Sequence, residues 1–515
     1  MKQSAIGSAL SILVALAVWM SPLARGQFDP DAGIVPNTAF LTADDVTAII
    51  QTAANSVNDQ SMVIAVSDRQ SNILGVFRKR GAPAFSTGNF SAQVDTNELA
   101  AALARTAAFF SHSQAPLSSR TVRFISGIHF PPGIMFVSNA ALYGIENTNR
   151  GCPFNAQYID GQSFPPARTL DGSQPGLGVI TGKKDVFDSD PGAVNPGGVP
   201  LYKGGRMVGG IGVAGASAAV SEYAAFAGAT QSGFFQAPPD PGVVIIDGIA
   251  LPFVNQTDQP PGTQPVPSGT TLAALGDWIV NPASSPGPAP EGYLVAPRAG
   301  PLGGLTQDEV QKIVQNSLNT ADLTRGIIRL PLGTRAKFVI AVADLDGQLI
   351  ALYRMKDATI FSIDVSVAKS RNVIYFSGPD RNQSDLPGVP IRTAVTNRTI
   401  SFGAQPFYPP GIDFSQPGPF FDLYKFDTAN PCTQGSQPPN PNQNGIVFFP
   451  GALPLYKNGV MVGGLGVSGD GVEQDDFVTA AGAAGFEAPA NIRADRVIDR
   501  HVRLPYIKFP RNPTD

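Results

Sequence analysis

Apolar residues at Val46, Ile49, Ile50 and Ala53 recur at helical spacing, and Val310, Ile313, Val314 and Ser317 repeat the arrangement far along the chain. Each set describes one largely buried helix face. Each is preceded by a threonine with an acid three residues on, Thr42 with Asp45 and Thr306 with Glu309. Such a capping box satisfies the orphan amides of a helix start. Two β-branched runs follow, 63–66 and 73–77 in the first case, joined by a short polar turn; in the second case the turn contains Asp346-Gly347, a hairpin signal. The pattern then returns to helical over 96–110 and 363–376. A long variable region leads to a second hairpin, turning at Asn458-Gly459 into a strand over 461–467, and an alanine-rich helix over 473–485 closes the unit. Helix, hairpin, helix, hairpin, helix predicts an α+β layer, an antiparallel sheet covered by helices.

The pattern occurs twice because the chain repeats itself. Leu201–Gly215 and Leu455–Gly469 are identical at 11 of 15 positions with an offset of 254. Val63–Arg78 corresponds to Val339–Arg354, placing Asp68 opposite Asp344 and Arg78 opposite Arg354, and Pro131–Ile134 corresponds to Pro409–Ile412. The expected organisation is a first unit over 41–254 and a second over 305–507, each of about 200 residues and large enough for its own core. Residues 255–304, rich in Pro and Gly, read as a linker, and 508–515 as a tail. The two units are expected to dock across a pseudo-two-fold axis.

Residues 1–26 combine Lys2, an apolar stretch from Ala5 to Met20 and a small-residue site at Ala24-Arg25-Gly26. This reads as a cleaved secretory signal, followed by an extension over 27–40, with no membrane span in the mature chain and a secreted or periplasmic location. A net charge of -4 over 515 residues offers no footprint for nucleic acid. Cys152 and Cys432 stand at similar places in the two units. In an oxidising compartment a bridge between them is one reading, and two separate thiols the other. Neither lies in a C-x-x-C-H, which excludes covalent haem attachment.

Leu305–Val310, Ala341–Arg354, the helix lysine Lys369 and Pro454–Asp475 together resemble, in order, the motifs of the GlcG/HbpS-like family of haem-binding-protein homologues. The resemblance extends over most of both units. It implies two tandem profilin-like domains, a tendency to form homo-oligomers, and extracytoplasmic binding of haem or a related tetrapyrrole in some members. The first unit departs from the pattern, with Gln70-Ser71 for Asp346-Gly347, Ala219-Val220-Ser221 for Glu473-Gln474-Asp475, and Arg105 read as standing for Lys369.

Gly210 with Gly212 and Gly464 with Gly466 satisfy a G-x-G-x-x-G spacing, but each follows a hairpin, not the parallel βαβ unit a dinucleotide fingerprint needs. Close approach of a ligand or a neighbouring backbone is the better use of these glycines. The helix starts beyond them are candidate carboxylate sites, the first unit being the friendlier because Asp470, Glu473, Asp475 and Asp476 crowd the second. A haem iron would need an axial ligand, and the candidates are His112 and His129, in the loop-rich part of the first unit; His501 is the remaining histidine. Arg105, Arg354 and Lys369 are the candidate propionate partners, with Arg78, Arg120 and Arg398 behind them. Asp68 and Asp344 are placed for catalysis, but aspartate at that position also starts a turn.

The expectation is therefore an exported ligand-binding protein for haem or a related tetrapyrrole. The alternatives are an enzyme or binding protein for a small organic acid, and a structural module in which duplication replaces a homodimer. Asn89, Asn255, Asn382 and Asn397 match the N-x-S/T glycosylation pattern.

Overall fold

The computed structural model describes residues 38–88, 91–125, 149–152, 167–180, 194–235, 244–246, 249–410, 412 and 414–514. The expected signal segment, His129 and Asn89 lie outside these residues. The first unit runs α1 (Ala43–Ser56), β1 (Val63–Asp68), β2 (Ile73–Lys79), β3 (Phe85–Thr87), β4 (Gln93–Asp95), α2 (Thr96–Phe110), α3 (Ser119–Ile125), β5 (Gly198–Lys203), β6 (Arg206–Ala214) and α4 (Ala218–Thr230). Strands β7 (Gly276–Val280) and β8 (Gly292–Val295) follow. The second unit runs α5 (Gln307–Ala321), β9 (Phe338–Ala343), β10 (Leu349–Arg354), α6 (Phe361–Ser377), α7 (Asn397–Gly403), α8 (Phe421–Ala429), β11 (Ala452–Lys457), β12 (Val460–Gly469) and α9 (Val472–Gly482).

The fold is α+β, with two antiparallel five-stranded sheets of matching order, β5-β6-β1-β2-β7 and β8-β10-β9-β12-β11. Successive residues of a strand face opposite sides, so Ile64 and Val66 pack under α1 and α4 while Val63 and Ala65 pack under α2. Even the irregularities recur. The register shifts at Val66/Ser67 and Val342/Ala343, and again at Leu201/Tyr202 and Leu455/Tyr456. Both capping boxes form. Asp68 and Asp344 serve turns: Asp68 accepts from the amide and side chain of Asn72, and Asp344 from the amides of Leu302 and Gly303.

The stretch read as a linker does more than connect. β7 pairs with β2 and β8 with β10, so it supplies an edge strand to each sheet. Its prolines flank these strands, where a missing amide costs no ladder bond.

The units meet through unlike places, which corrects the expected pseudo-two-fold. Phe110, ending α2, stacks on Phe361, starting α6, with centroids 4.1 Å apart. The Ile360 amide donates to the Phe109 carbonyl (3.1 Å). Arg69 pairs with buried Asp357 (2.9 Å), which also takes Arg329 (3.2 Å) and the Ser113 amide. A two-fold exchange would have to repeat the Arg69–Asp357 pair with Leu345 and Gly81, which stand at the corresponding positions and cannot form it. The junction is heterologous. It is nonetheless apolar enough that Phe109, Phe110, Leu117 and Val122 belong to the same core cluster as the second unit.

Cys152 and Cys432 are bridged, with Cα atoms 5.3 Å apart, which settles the reading left open above. The bridge fastens the first unit's 149–152 segment to the second. Beside it the Asn149 amide donates to Asp364 (2.9 Å), the fourth helical residue of α6. Burial raises the Asp364 carboxyl to about 6, against the opposing pull of Asn444, the Asn149 amide and Arg371.

Two outcomes follow from these contacts. Unfolded, unreduced protein should show no maleimide-reactive thiol and a 152–432 linked peptide by mass spectrometry, with two reactive thiols after reduction; a reactive thiol before reduction would contradict the bridge. Asp364 has a folded pKa above the unfolded value of about 3.9, so its stabilising protonated form is present at low pH and lost as pH rises through about 6. Relative to wild type, Asp364→Asn should therefore gain about 2–3 kcal/mol between pH 4 and pH 8 in denaturant unfolding. A difference that does not vary with pH would refute the assignment.

Candidate functional site

Each Gly-rich strand runs under a helix at backbone contact. A Cβ on Gly210 would lie 2.3 Å from the Ala104 carbonyl, and one on Gly212 2.1 Å from that of Ala100. Gly464 and Gly466 stand in the same relation to Ser370 and Ser366, at 2.1 Å each. These glycines therefore seat α2 and α6 on their sheets, and no ligand reaches them. The pairing also fixes the helix register between units: Ala104 matches Ser370, so Leu103 occupies the place of Lys369, and Arg105 matches Arg371. Arg105 and Arg371 confirm it by donating from Nε to the equivalent carbonyls of Ser71 (3.2 Å) and Gly347 (2.9 Å). The reading of Arg105 as the counterpart of Lys369 is corrected accordingly.

The candidate cations are committed to the fold. Arg105 is buried and also donates to the Arg168 carbonyl, and burial lowers its pKa to about 10. Buried Arg354 donates to the carbonyls of Ala358 and Pro290, repeating the bond from Arg78 to Ala82. Arg120 grips Glu222 with two bonds, and Arg398 pairs with Asp476 at the matching place. Lys369 donates to the Val467 carbonyl and to Asp475 (2.8 Å each) and lies 4.7 Å above the Phe449 ring. Burial lowers the Lys369 pKa and raises Asp475 to about 7, each opposed by its partner's charge. The crowd of acids expected to repel an anion is neutralised pairwise, with Asp470 held by Arg329 and Glu473 by Lys508.

His112 is buried at the junction with both ring nitrogens engaged. Nδ1 accepts from the amides of Gln114 (3.2 Å) and Ala115 (3.1 Å), which fixes the proton on Nε2, and Nε2 donates to the Ile328 carbonyl (3.1 Å). Burial, with Arg329 nearby, holds its pKa well below the usual value, so the ring is neutral. In this arrangement it presents no lone pair to a metal. His501 is exposed in a surface turn. Among the described residues, then, the groups expected to hold haem do not converge on a haem-shaped site.

Beyond the strand ends the units diverge, and there a cavity opens. In the first unit Val213–Ala216, Leu103, Asn195, Ala218 and Ser221 line about 280 Å³ of space. At the equivalent place in the second unit, Gly469–Val472, Phe449 and Asp475 surround about 30 Å³. The difference lies in side chains. Lys369, Phe449, Asp470 and Asp475 fill the second locus where Leu103, Asn195, Ala216 and Ser221 leave the first open. Phe110 and Ile125 of the first unit also line the second. Sequence reasoning set Arg105 against Lys369, two residues out of register, and so missed that Leu103 and Ser221 stand where the second unit has its Lys369–Asp475 pair.

Residues 305–484 match the family described as haem-degrading protein HbpS-like. No curated protein sequence matches the chain. Similar solved structures include a PduOC–haem complex, 18% identical, covering 35% of this chain and 94% of that one with a TM-score of 0.23. Klebsiella pneumoniae ORFY, of family DUF336, is 20% identical over 35% of this chain and 88% of that one, with a TM-score of 0.23. A double mutant of Streptomyces reticuli HbpS is 19% identical over 39% and 97%, with a TM-score of 0.22.

The equivalence of the loci predicts a rescue. Lys369→Leu strands a buried carboxylate and should cost about 3 kcal/mol or more, whereas Lys369→Leu with Asp475→Ser installs the first unit's pair and should recover most of it. Chemical denaturation of the two single variants and the double variant measures the coupling, and additive losses would show that the pair is not a unit.

Proposed function

We propose that this chain, whose residues 305–484 belong to the HbpS-like family, is an exported haem-related binding protein whose first unit takes the ligand and whose second unit supports it. The observation that carries the reading is the contrast between about 280 Å³ at the first locus and about 30 Å³ at the second. The exposed lining of the open cleft is more polar than apolar, with hydroxyl, amide and backbone groups set among side chains such as Phe85, Leu99, Leu103 and Val213, and among the described residues it carries no titratable side chain. We read it as taking one edge of a flat macrocycle, held by neutral polar groups and a few apolar contacts, with the carboxylates left in water. The volume is too small to enclose a whole tetrapyrrole, so the reading is of an edge inserted, and no axial bond is assigned. The apolar leader and the Cys152–Cys432 bridge support an oxidising, exported setting. No helix among the described residues is long and apolar enough to cross a membrane.

The size of the cleft also favours a second reading, a small organic ligand. For a small acid, however, the lining supplies no cation among the described residues, and the buried arginines nearby are already engaged. A lining without a titratable group also favours binding over acid–base catalysis.

Ala218 stands exposed at the mouth of the cleft, where a larger side chain fills space without entering the core. Hemin titration of wild type should give a saturable Soret shift, weakened at least ten-fold in Ala218→Trp. A featureless wild-type titration sinks the haem reading; wild-type affinity in Ala218→Trp moves the site elsewhere. The same titration of His129→Ala tests that residue as an axial ligand.

A further inference from the structure

The two units keep an offset of 276 as far as Ala82 and Ala358, where Arg78 and Arg354 bond equivalent carbonyls. From Thr96 and Ser362 onward the offset is 266, as the helix–glycine contacts fix it. The first unit therefore carries ten extra residues between β2 and α2. They form the β3–β4 hairpin, paired Phe85 to Asp95, Ser86 to Val94 and Thr87 to Gln93, and it joins neither main sheet. Its base is tied down by the Thr96 amide donating to the Ala84 carbonyl (3.0 Å) and by contact of the Ser86 and Thr96 hydroxyls (2.9 Å). From that base Phe85, Ser86, Thr87 and Gln93 form the outer side of the cleft. The second unit, lacking the hairpin, has its locus lined by Phe110 and Ile125 of the first unit instead.

From this we infer that the inserted hairpin is the specificity-determining outer wall of the ligand site, selecting a flat, uncharged apolar face that stacks on Phe85. The inference rests on the cleft of the proposed function but not on haem being its occupant. Phe85 is 62% exposed at the lip, and among the described residues no aromatic ring packs on it. Covering such a side chain with an apolar face removes its surface from water. Of the polar groups on the wall, Ser86, Thr87 and Gln93 are neutral, with Gln93 donating to Thr87 (3.0 Å), while Asp95, paired with Phe85, is acidic. Asp95 and Glu98, at the start of α2 just behind the wall, give the rim negative charge and disfavour an anion in the cleft. Charged groups of a ligand must point outward. A two-stranded ribbon outside any sheet is marginally stable alone, so it can yield as one piece to admit a planar molecule.

The test titrates two probes, hemin and the uncharged dye N-phenyl-1-naphthylamine, into wild type, Phe85→Ala and a variant whose residues 83–95 are replaced by the Thr-Ile-Phe connection of the second unit. Wild type should bind the dye saturably. Phe85→Ala should weaken it about ten-fold, and the shortened variant should release it at least ten-fold faster. Should the shortened variant not fold, Phe85→Ala carries the test, with thermal unfolding as the check on integrity. Phe85-dependent dye binding without hemin binding overturns the haem reading and upholds the wall. Dye binding that is absent in wild type, or unchanged in Phe85→Ala, overturns the wall.

Discussion

The arrangement of the molecule depends on one buried carboxylate. Asp357 sits at positive φ and receives Arg69 and the Ser113 amide from one unit and Arg329 from its own. Burial by itself would raise its pKa, but the two guanidinium groups overcome this and hold the carboxyl far below the usual range. Ion pairs of this kind add little net stability over an apolar replacement, yet removing one partner strands a buried charge at a cost of several kcal/mol. The network thus acts chiefly as a register. It ties the end of α2 to the start of α6, where Arg69 and the Ser113 amide reach Asp357.

That alignment makes the units unequal. Once Phe110 is laid on Phe361, the locus at the end of β12 is covered from outside, while Arg329–Asp470 and Lys369–Asp475 occupy it from within. Among the described residues the first unit's locus is lined by its own unit alone. A symmetric pair would treat the two alike. The heterologous junction leaves one copy of the site clear of the interface, and that copy lacks the charges and carries the hairpin.

Most of the architecture was legible in the sequence because it is enforced locally. Thr42 and Thr306 start helices by their own hydroxyls, and Asp346-Gly347 and Asn458-Gly459 turn hairpins by backbone preference. The site was less legible. His112 and the arginines were singled out by residue type, but their roles follow from what surrounds them, and burial had already paired each with a carbonyl or carboxylate. The strands inside 255–304 escaped notice because a short edge strand flanked by prolines has no periodicity to distinguish it from a linker. The ten-residue change of offset was present in the sequence, yet it becomes meaningful once Ala104 and Ser370 are seen against Gly210 and Gly464.

The glycine strands explain why divergence took the route it did. With helix carbonyls 2.1–2.3 Å from any Cβ at Gly210, Gly212, Gly464 or Gly466, these helix-facing positions of the strands accept no side chain. The differences that open one locus and fill the other fall on side chains around the strand end, at 195, 216 and 221 against 449, 470 and 475, together with the helix residues Leu103 and Lys369 that lie against Gly212 and Gly466. The hairpin enters at the same end. What each unit can hold is therefore decided by a handful of side chains at one end of a helix–strand pair whose remainder cannot change.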